Sequence, residues 1–182
     1  MGQDLSYLLG GLRIPTRSVF ISYHHENDQH YCDALSRVAG AYQLFRDRTL
    51  RNKIDSTNPE YVIQQIRDKY ITGSSCTMVL CGPETYKRRY VDWETKATLD
   101  KEHGIIAVQL PNLPVNAIGK VTIPQRLSQN IESGYALWEH WDDLTLSADR
   151  FKHYIEEAVA RSNSHLFKSK IVNPWEIKKQ NG

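Results

Sequence analysis

Short apolar runs punctuate the chain at regular intervals, and each is bounded by polar or turn-forming residues. Runs of this length, separated by amphipathic stretches, predict buried β-strands rather than helices. The predicted strands are Ser18–Tyr23, Tyr42–Phe45, Ser74–Cys81, Ile105–Leu110 and, as an edge strand, Leu137–Trp141.

Between these runs, apolar residues recur at the three- and four-residue spacing of a helix that buries one face. The first helix carries Tyr31, Leu35, Val38 and Ala39, with Asn27 or Asp28 as its predicted cap. Later helices are predicted to start at Pro59, to span Tyr86 to about Glu102, and to span Ser147 to about Ala160. Residues 111–134 contain three prolines and predict a long loop with room for a short helix.

Strands that alternate with helices of 10–15 residues indicate a parallel sheet covered on both faces. We therefore predict a doubly wound, mainly parallel five-stranded α/β domain with a flavodoxin-like strand order. The predicted domain covers residues 17–163, between an N-terminal extension (1–16) and a basic C-terminal tail (164–182).

Composition and charge bear on which partners and which cellular compartment we expect for the protein. A formal net charge of +2 gives no support to a nucleic-acid partner, and no apolar run approaches the roughly 20 residues of a membrane span. The three cysteines lack metal-ligand spacing, and two of them lie in the predicted third strand. A reducing, cytoplasmic compartment is the expectation.

The segment after the first strand, from Ser22 to His30, concentrates three histidines and two carboxylates. The adjacent pair His24 and His25 is poorly suited to bind one ion, and no HxH or HxxxH pair shares a helical face with a carboxylate. We expect no metal here. The segment should instead line the carboxyl edge of the sheet, where open α/β folds bind ligands.

Tyr90 and Glu94 are the most informative pair in the chain. They are four residues apart, so they lie one turn apart on one helical face. The helix begins just past the third strand, which places the pair at the same carboxyl edge. The aromatic ring can stack on a planar group while the carboxylate stabilises a nearby cation; Trp93, on another face, is expected to pack in the core.

Two charged segments flank this pair. Lys87, Arg88 and Arg89 could meet phosphates through charge-assisted hydrogen bonds. The polar loop 46–58 is long enough to close over a ligand or to meet a neighbour. The sequence contains no glycine-rich phosphate loop and no nucleophile elbow.

Val19-Phe20-Ile21-Ser22-Tyr23, followed by Asp28, resembles the first-strand box of TIR domains. The Tyr90-x-x-x-Glu94 spacing resembles the Trp-x-x-x-Glu of TIR domains that cleave NAD, with Tyr in place of Trp. The stretch from Ser74 to Glu94 is most similar to TIR-like proteins of bacterial Thoeris antiphage systems.

This resemblance implies an enzyme that breaks the nicotinamide N-glycosidic bond of NAD and makes an ADP-ribose-derived, cyclic signal for a separate effector. It implies Glu94 as the catalytic carboxylate and NAD as a substrate rather than a cofactor. It also implies a set of substrate-binding residues: Ser22, Tyr23, His24, Asp47, Arg89 and Tyr90. Two alternatives stay open, a non-catalytic TIR module that forms homo-oligomers or recruits partners, and a nucleoside-ribosyl transfer enzyme.

Overall fold

The computed structural model describes residues 17–40, 42–46 and 58–174. In these ranges a sheet of five strands forms the centre, with all neighbouring strands parallel and in the order β2-β1-β3-β4-β5. The strands are β1 (Ser18–Ser22), β2 (Gln43–Arg46), β3 (Cys76–Cys81), β4 (Gly104–Gln109) and β5 (Leu137–His140).

Helices cover both faces of the sheet and connect its strands. They are α1 (His25–Leu35), α2 (Pro59–Ile66), α3 (Arg89–Asp100), α4 (Gln125–Glu132), α5 (Trp141–Leu144), α6 (Ala148–Asn163) and α7 (His165–Lys168). Helices on both faces of a parallel five-stranded sheet confirm the predicted doubly wound α/β class.

None of the helices in the described ranges has the length and apolar character that crossing a membrane requires.

Burial of the strands explains why they can be predicted from the sequence. All six residues of β3 are buried, as are residues 104–108 of β4, because both faces of these central strands are covered. The observed strand ends lie within two residues of the predicted ones. Trp141 begins α5 instead of ending β5.

The two faces of the sheet have separate cores. On one face α1 and α6 pack through residues such as Leu35, Phe151 and Ile155. On the other face α2 and α3 pack around Phe20 and Trp93. Successive residues of β1 alternate between these cores, so Val19 and Ile21 belong to the first face and Phe20 to the second.

Helix α4 supplies a buried cation to the second face. The Arg126 side chain is only 4% exposed, and its Nε lies 3.0 Å from Oδ1 of Asp92 on α3. Its Nη1 donates to Asn173 Oδ1 at 2.7 Å and to the Pro174 carbonyl at 2.9 Å. One guanidinium thus joins α3, α4 and the C-terminal segment.

Residues 164–174 continue to pack on the domain beyond its predicted boundary at residue 163. Phe167 and Ile171 pack against the core of the second face. The Asn130 side chain pairs with the Val172 backbone in both directions, at 2.7 and 3.1 Å. This segment is therefore part of the fold, whereas residues 1–16 and 175–182 lie outside the described ranges.

Replacing Arg126 tests the buried ion pair. In Arg126→Met, the buried Asp92 side chain loses its cationic partner, and the C-terminal segment loses two hydrogen bonds. We expect the free energy of unfolding to fall by about 3–5 kcal/mol, measured by urea denaturation. Arg67→Met removes an arginine from an exposed pair with Asp68 and should change stability little. Equal stability of both variants would contradict the importance of the Arg126 pair.

The close approach of β4 and α6 gives a second test. A Cβ added at Gly104 would lie 2.4 Å from the Ala158 carbonyl oxygen, so Gly104→Ala must push α6 away from the sheet. We expect a loss of about 1–3 kcal/mol in the free energy of unfolding, the usual cost of overpacking. Gly73→Ala is the matched control, because nothing lies within 4 Å of its added Cβ.

Candidate functional site

Glu94 and Ser22 meet at the carboxyl edge of the sheet. Ser22 ends β1, and its Oγ donates a hydrogen bond to Glu94 Oε2 on α3. Ser22 is 1% exposed and Glu94 6%, so the contact is nearly enclosed by protein. A hydrogen bond from a hydroxyl to a carboxylate is charge-assisted, and it fixes the orientation of the acid.

The position of this contact follows from the strand order. Strand β1 lies between β2 and β3, with α1 on one face of the sheet and α3 on the other. The connections after β1 and β3 therefore diverge at this edge, which is the place where open α/β folds generally hold ligands. Ser22 and Glu94 lie at this divergence, as the sequence predicted for the edge.

The aromatic partner, Tyr90, lies one turn before Glu94. Its ring is half-buried and meets the Trp93 ring edge-to-face, with centroids 5.1 Å apart. Arg89 is exposed, and its guanidinium carbon lies 5.8 Å from the centre of the Trp93 ring. Trp93 itself is 5% exposed and packs in the core, as predicted.

His24 and Tyr23 have folding roles that the sequence did not indicate. His24 is the N-cap of α1, since its Nδ1 accepts from the Asn27 backbone N–H at 3.1 Å. The predicted cap, Asn27 or Asp28, is therefore wrong. Tyr23 packs in the core of the α1 face, and its hydroxyl donates to Gln29 Oε1 at 2.7 Å. Contact of Tyr23 or His24 with substrate stays a prediction.

The basic run before α3 is partly engaged with acids. Lys87 Nζ lies 3.1 Å from Glu84 Oε1, and Arg88 lies within 3.8 Å of carboxylate oxygens of both Glu26 and Glu84. These pairs are exposed enough for solvent to screen them strongly. The third residue of this run, Arg89, begins α3 and lies over the Trp93 ring instead of pairing with these acids.

Asp47, a predicted substrate contact, lies outside the described residues with the rest of loop 47–57. Within the described residues, no group of three or more histidine, cysteine, aspartate or glutamate side chains is arranged to hold a metal ion.

Asp28, a predicted cap and part of the first-strand box, is a buried carboxylate. It is 0% exposed, and its Oδ1 accepts from Asn112 Nδ2 at 3.4 Å. The carboxylate also lies directly over Gly82, where an added Cβ would be 2.5 Å from Oδ2. Asp28 thus joins α1 to the loops that follow β3 and β4. The available signal was Gly82 at the end of a strand, a residue that permits close approach.

The Asp28 carboxyl should make stability depend on pH. Burial raises its pKa above the ordinary value of 3.8, although Asn112 and His30 act in the opposite direction. The folded state then holds the proton better than the unfolded state, so the free energy of unfolding should fall as pH rises from 3.8 through the folded-state pKa.

Asp28→Asn keeps an acceptor for Asn112 and carries no charge. We expect it to lose this pH dependence and to be more stable than the wild type above that window, by urea denaturation at several pH values. Asp149→Asn removes the same charge from an exposed site on α6. Parallel stability curves for the wild type and Asp28→Asn would contradict the expectation.

Comparison with known proteins bears on the family of the chain. No curated protein matches the chain. Residues 20–114, more than half of the chain, match the family described as Thoeris protein ThsB, TIR-like domain. The match includes Ser22 at the end of β1 and Glu94 on α3, the two residues that meet at the sheet edge. The chain therefore belongs to the TIR-like domain family of the Thoeris protein ThsB, a module of antiphage defence.

Proposed function

We propose that this protein cleaves the bond between nicotinamide and ribose in NAD, with Glu94 as the catalytic carboxylate. The observation that carries the proposal is the enclosed Ser22–Glu94 hydrogen bond at the switch point of a TIR-like fold. It presents an oriented carboxylate where such folds bind nucleotides.

Cleavage of this bond is promoted mainly by an oriented negative charge close to the ribose. As the N-glycosidic bond breaks, its electron pair neutralises the pyridinium nitrogen, and nicotinamide leaves as a neutral molecule. Positive charge develops on the ribose carbon and ring oxygen, where the Glu94 carboxylate stabilises it. A hydroxyl, from water or from a second ribose, then attacks that carbon and loses its proton.

Neighbouring residues have supporting roles in this proposal. Ser22 orients the Glu94 carboxylate, and the half-buried Tyr90 ring offers a face to a planar group of the substrate. Arg89 is exposed and can reach phosphate oxygens. Three further residues, Tyr23, His24 and Asp47, complete the proposed set of substrate contacts.

In keeping with its family, the product would be an ADP-ribose-derived signal, cyclic when the second hydroxyl belongs to the adenosine half of the same molecule. The signal would act on a separate effector protein. A cytoplasmic location, where NAD is available, suits the three buried free thiols Cys32, Cys76 and Cys81.

Nicotinamide release from NAD tests the role of Glu94. We expect Glu94→Gln to lower kcat by about 10²–10³, near 3–4 kcal/mol, because the amide keeps the shape but loses the charge. Glu132→Gln, an exposed acid at the end of α4, should match the wild type.

The assay should use both purified protein and extracts of phage-infected cells that express it, since a defence enzyme can require a trigger. Equal rates for the wild type and Glu94→Gln would show that Glu94 is not the catalytic group. No nicotinamide release in either preparation would contradict the proposed activity itself.

A further inference from the structure

Two buried threonines connect Glu94 to the sheet through its backbone. Thr98 lies one turn after Glu94 on α3, and its Oγ1 donates to the Glu94 carbonyl at 2.8 Å. The same Oγ1 is 2.7 Å from Oγ1 of Thr77 on β3. Because a threonine hydroxyl has one hydrogen to donate, the hydrogen between the two threonines comes from Thr77. The bonds therefore run from Thr77 to Thr98 to Glu94.

Both threonine hydroxyls are buried, so their hydrogen bonds have no substitute in solvent. Thr77 and Thr98 are both 0% exposed, so no bulk water replaces a hydrogen bond that is broken or misaligned. A buried hydroxyl without a partner costs free energy, and the folded state therefore favours the helix position that keeps both bonds.

Helix α3 contacts the sheet at two places, through Glu94 to Ser22 and through Thr98 to Thr77. The spacing of these contacts matches the geometry of strand and helix. Thr77 pairs in register with Phe20, two residues before Ser22, a distance of about 6.6 Å along a strand. Glu94 and Thr98 are four residues apart, about 6 Å along a helix. Helix α3 can thus contact Ser22 of β1 and Thr77 of β3 at once. A rotation by one residue, about 100°, would break both contacts.

We propose that Thr77 and Thr98 are positioning residues that set the rotation and depth of α3, so that the Glu94 carboxylate meets Ser22 Oγ. The catalytic part of this inference rests on the proposed function, whereas the geometric part does not. Neither threonine is assigned contact with substrate.

The test is the double variant Thr77→Val/Thr98→Val. Replacing both hydroxyls by methyl groups avoids leaving a buried donor without its acceptor, so the fold should survive. Thr95→Val is the matched control, because Thr95 is also 0% exposed on α3, but its hydroxyl donates to the Val91 carbonyl within the helix, at 2.8 Å. Thr98→Ser keeps the hydroxyl and should behave as the wild type.

Two readouts are needed, crystal structures of the variants and the kinetics of nicotinamide release. We expect the double variant to lose the Ser22–Glu94 hydrogen bond and to lower kcat by about 10- to 100-fold with little change in KM, the usual effect of misplacing a catalytic group by about 1 Å. Thr95→Val and Thr98→Ser should keep both the bond and the kcat.

A folded double variant that retains the Ser22–Glu94 hydrogen bond would overturn the proposal, and so would one whose kcat equals that of Thr95→Val. Absence of NAD cleavage by the wild type and by Thr95→Val would be a failure of the proposed function instead. In that case the crystal structures alone decide whether the threonines position Glu94.

Discussion

Helix α3 is buried on every side from Val91 to Leu99, and this constraint organises the second face of the molecule. A helix with polar residues in such a position is stable only if each polar side chain finds a partner. Three of its polar side chains find partners in three different elements. Asp92 pairs with Arg126 of α4, Glu94 with Ser22 of β1, and Thr98 with Thr77 of β3. The partners together fix the helix against the sheet, its neighbouring helix and the C-terminal segment.

The same arrangement explains why a carboxylate can be held ready at the sheet edge. Burying an acid is costly, and the Ser22 hydroxyl offsets part of the cost by donating to it. The carboxylate is oriented and shielded from solvent, which suits its proposed role in stabilising a developing ribose cation. A second buried acid, Asp28, lies on the α1 side over Gly82 and joins the loops that follow β3 and β4. The edge is thus built from both faces of the sheet.

Much of the fold was predictable because its signals are local. Strands β3 and β4 are mostly apolar since both faces are covered, and Pro59 begins α2 as its ring geometry favours. The wrong cap of α1 also has a local cause, since histidine is not a usual cap. The polarity of the segment after α6 gives no indication that Phe167 and Ile171 pack on the domain.

The sequence by itself determined the alternation of strands and helices and the one-turn spacing of Tyr90 and Glu94, because both depend on residues close together in the chain. Only the tertiary structure decided which polar groups meet. The pairs Ser22–Glu94, Asp92–Arg126 and Thr77–Thr98 join residues 72, 34 and 21 positions apart. Their contact depends on strand order, register and the rotation of α3. Because packing of the whole domain sets these, no local sequence pattern indicates them.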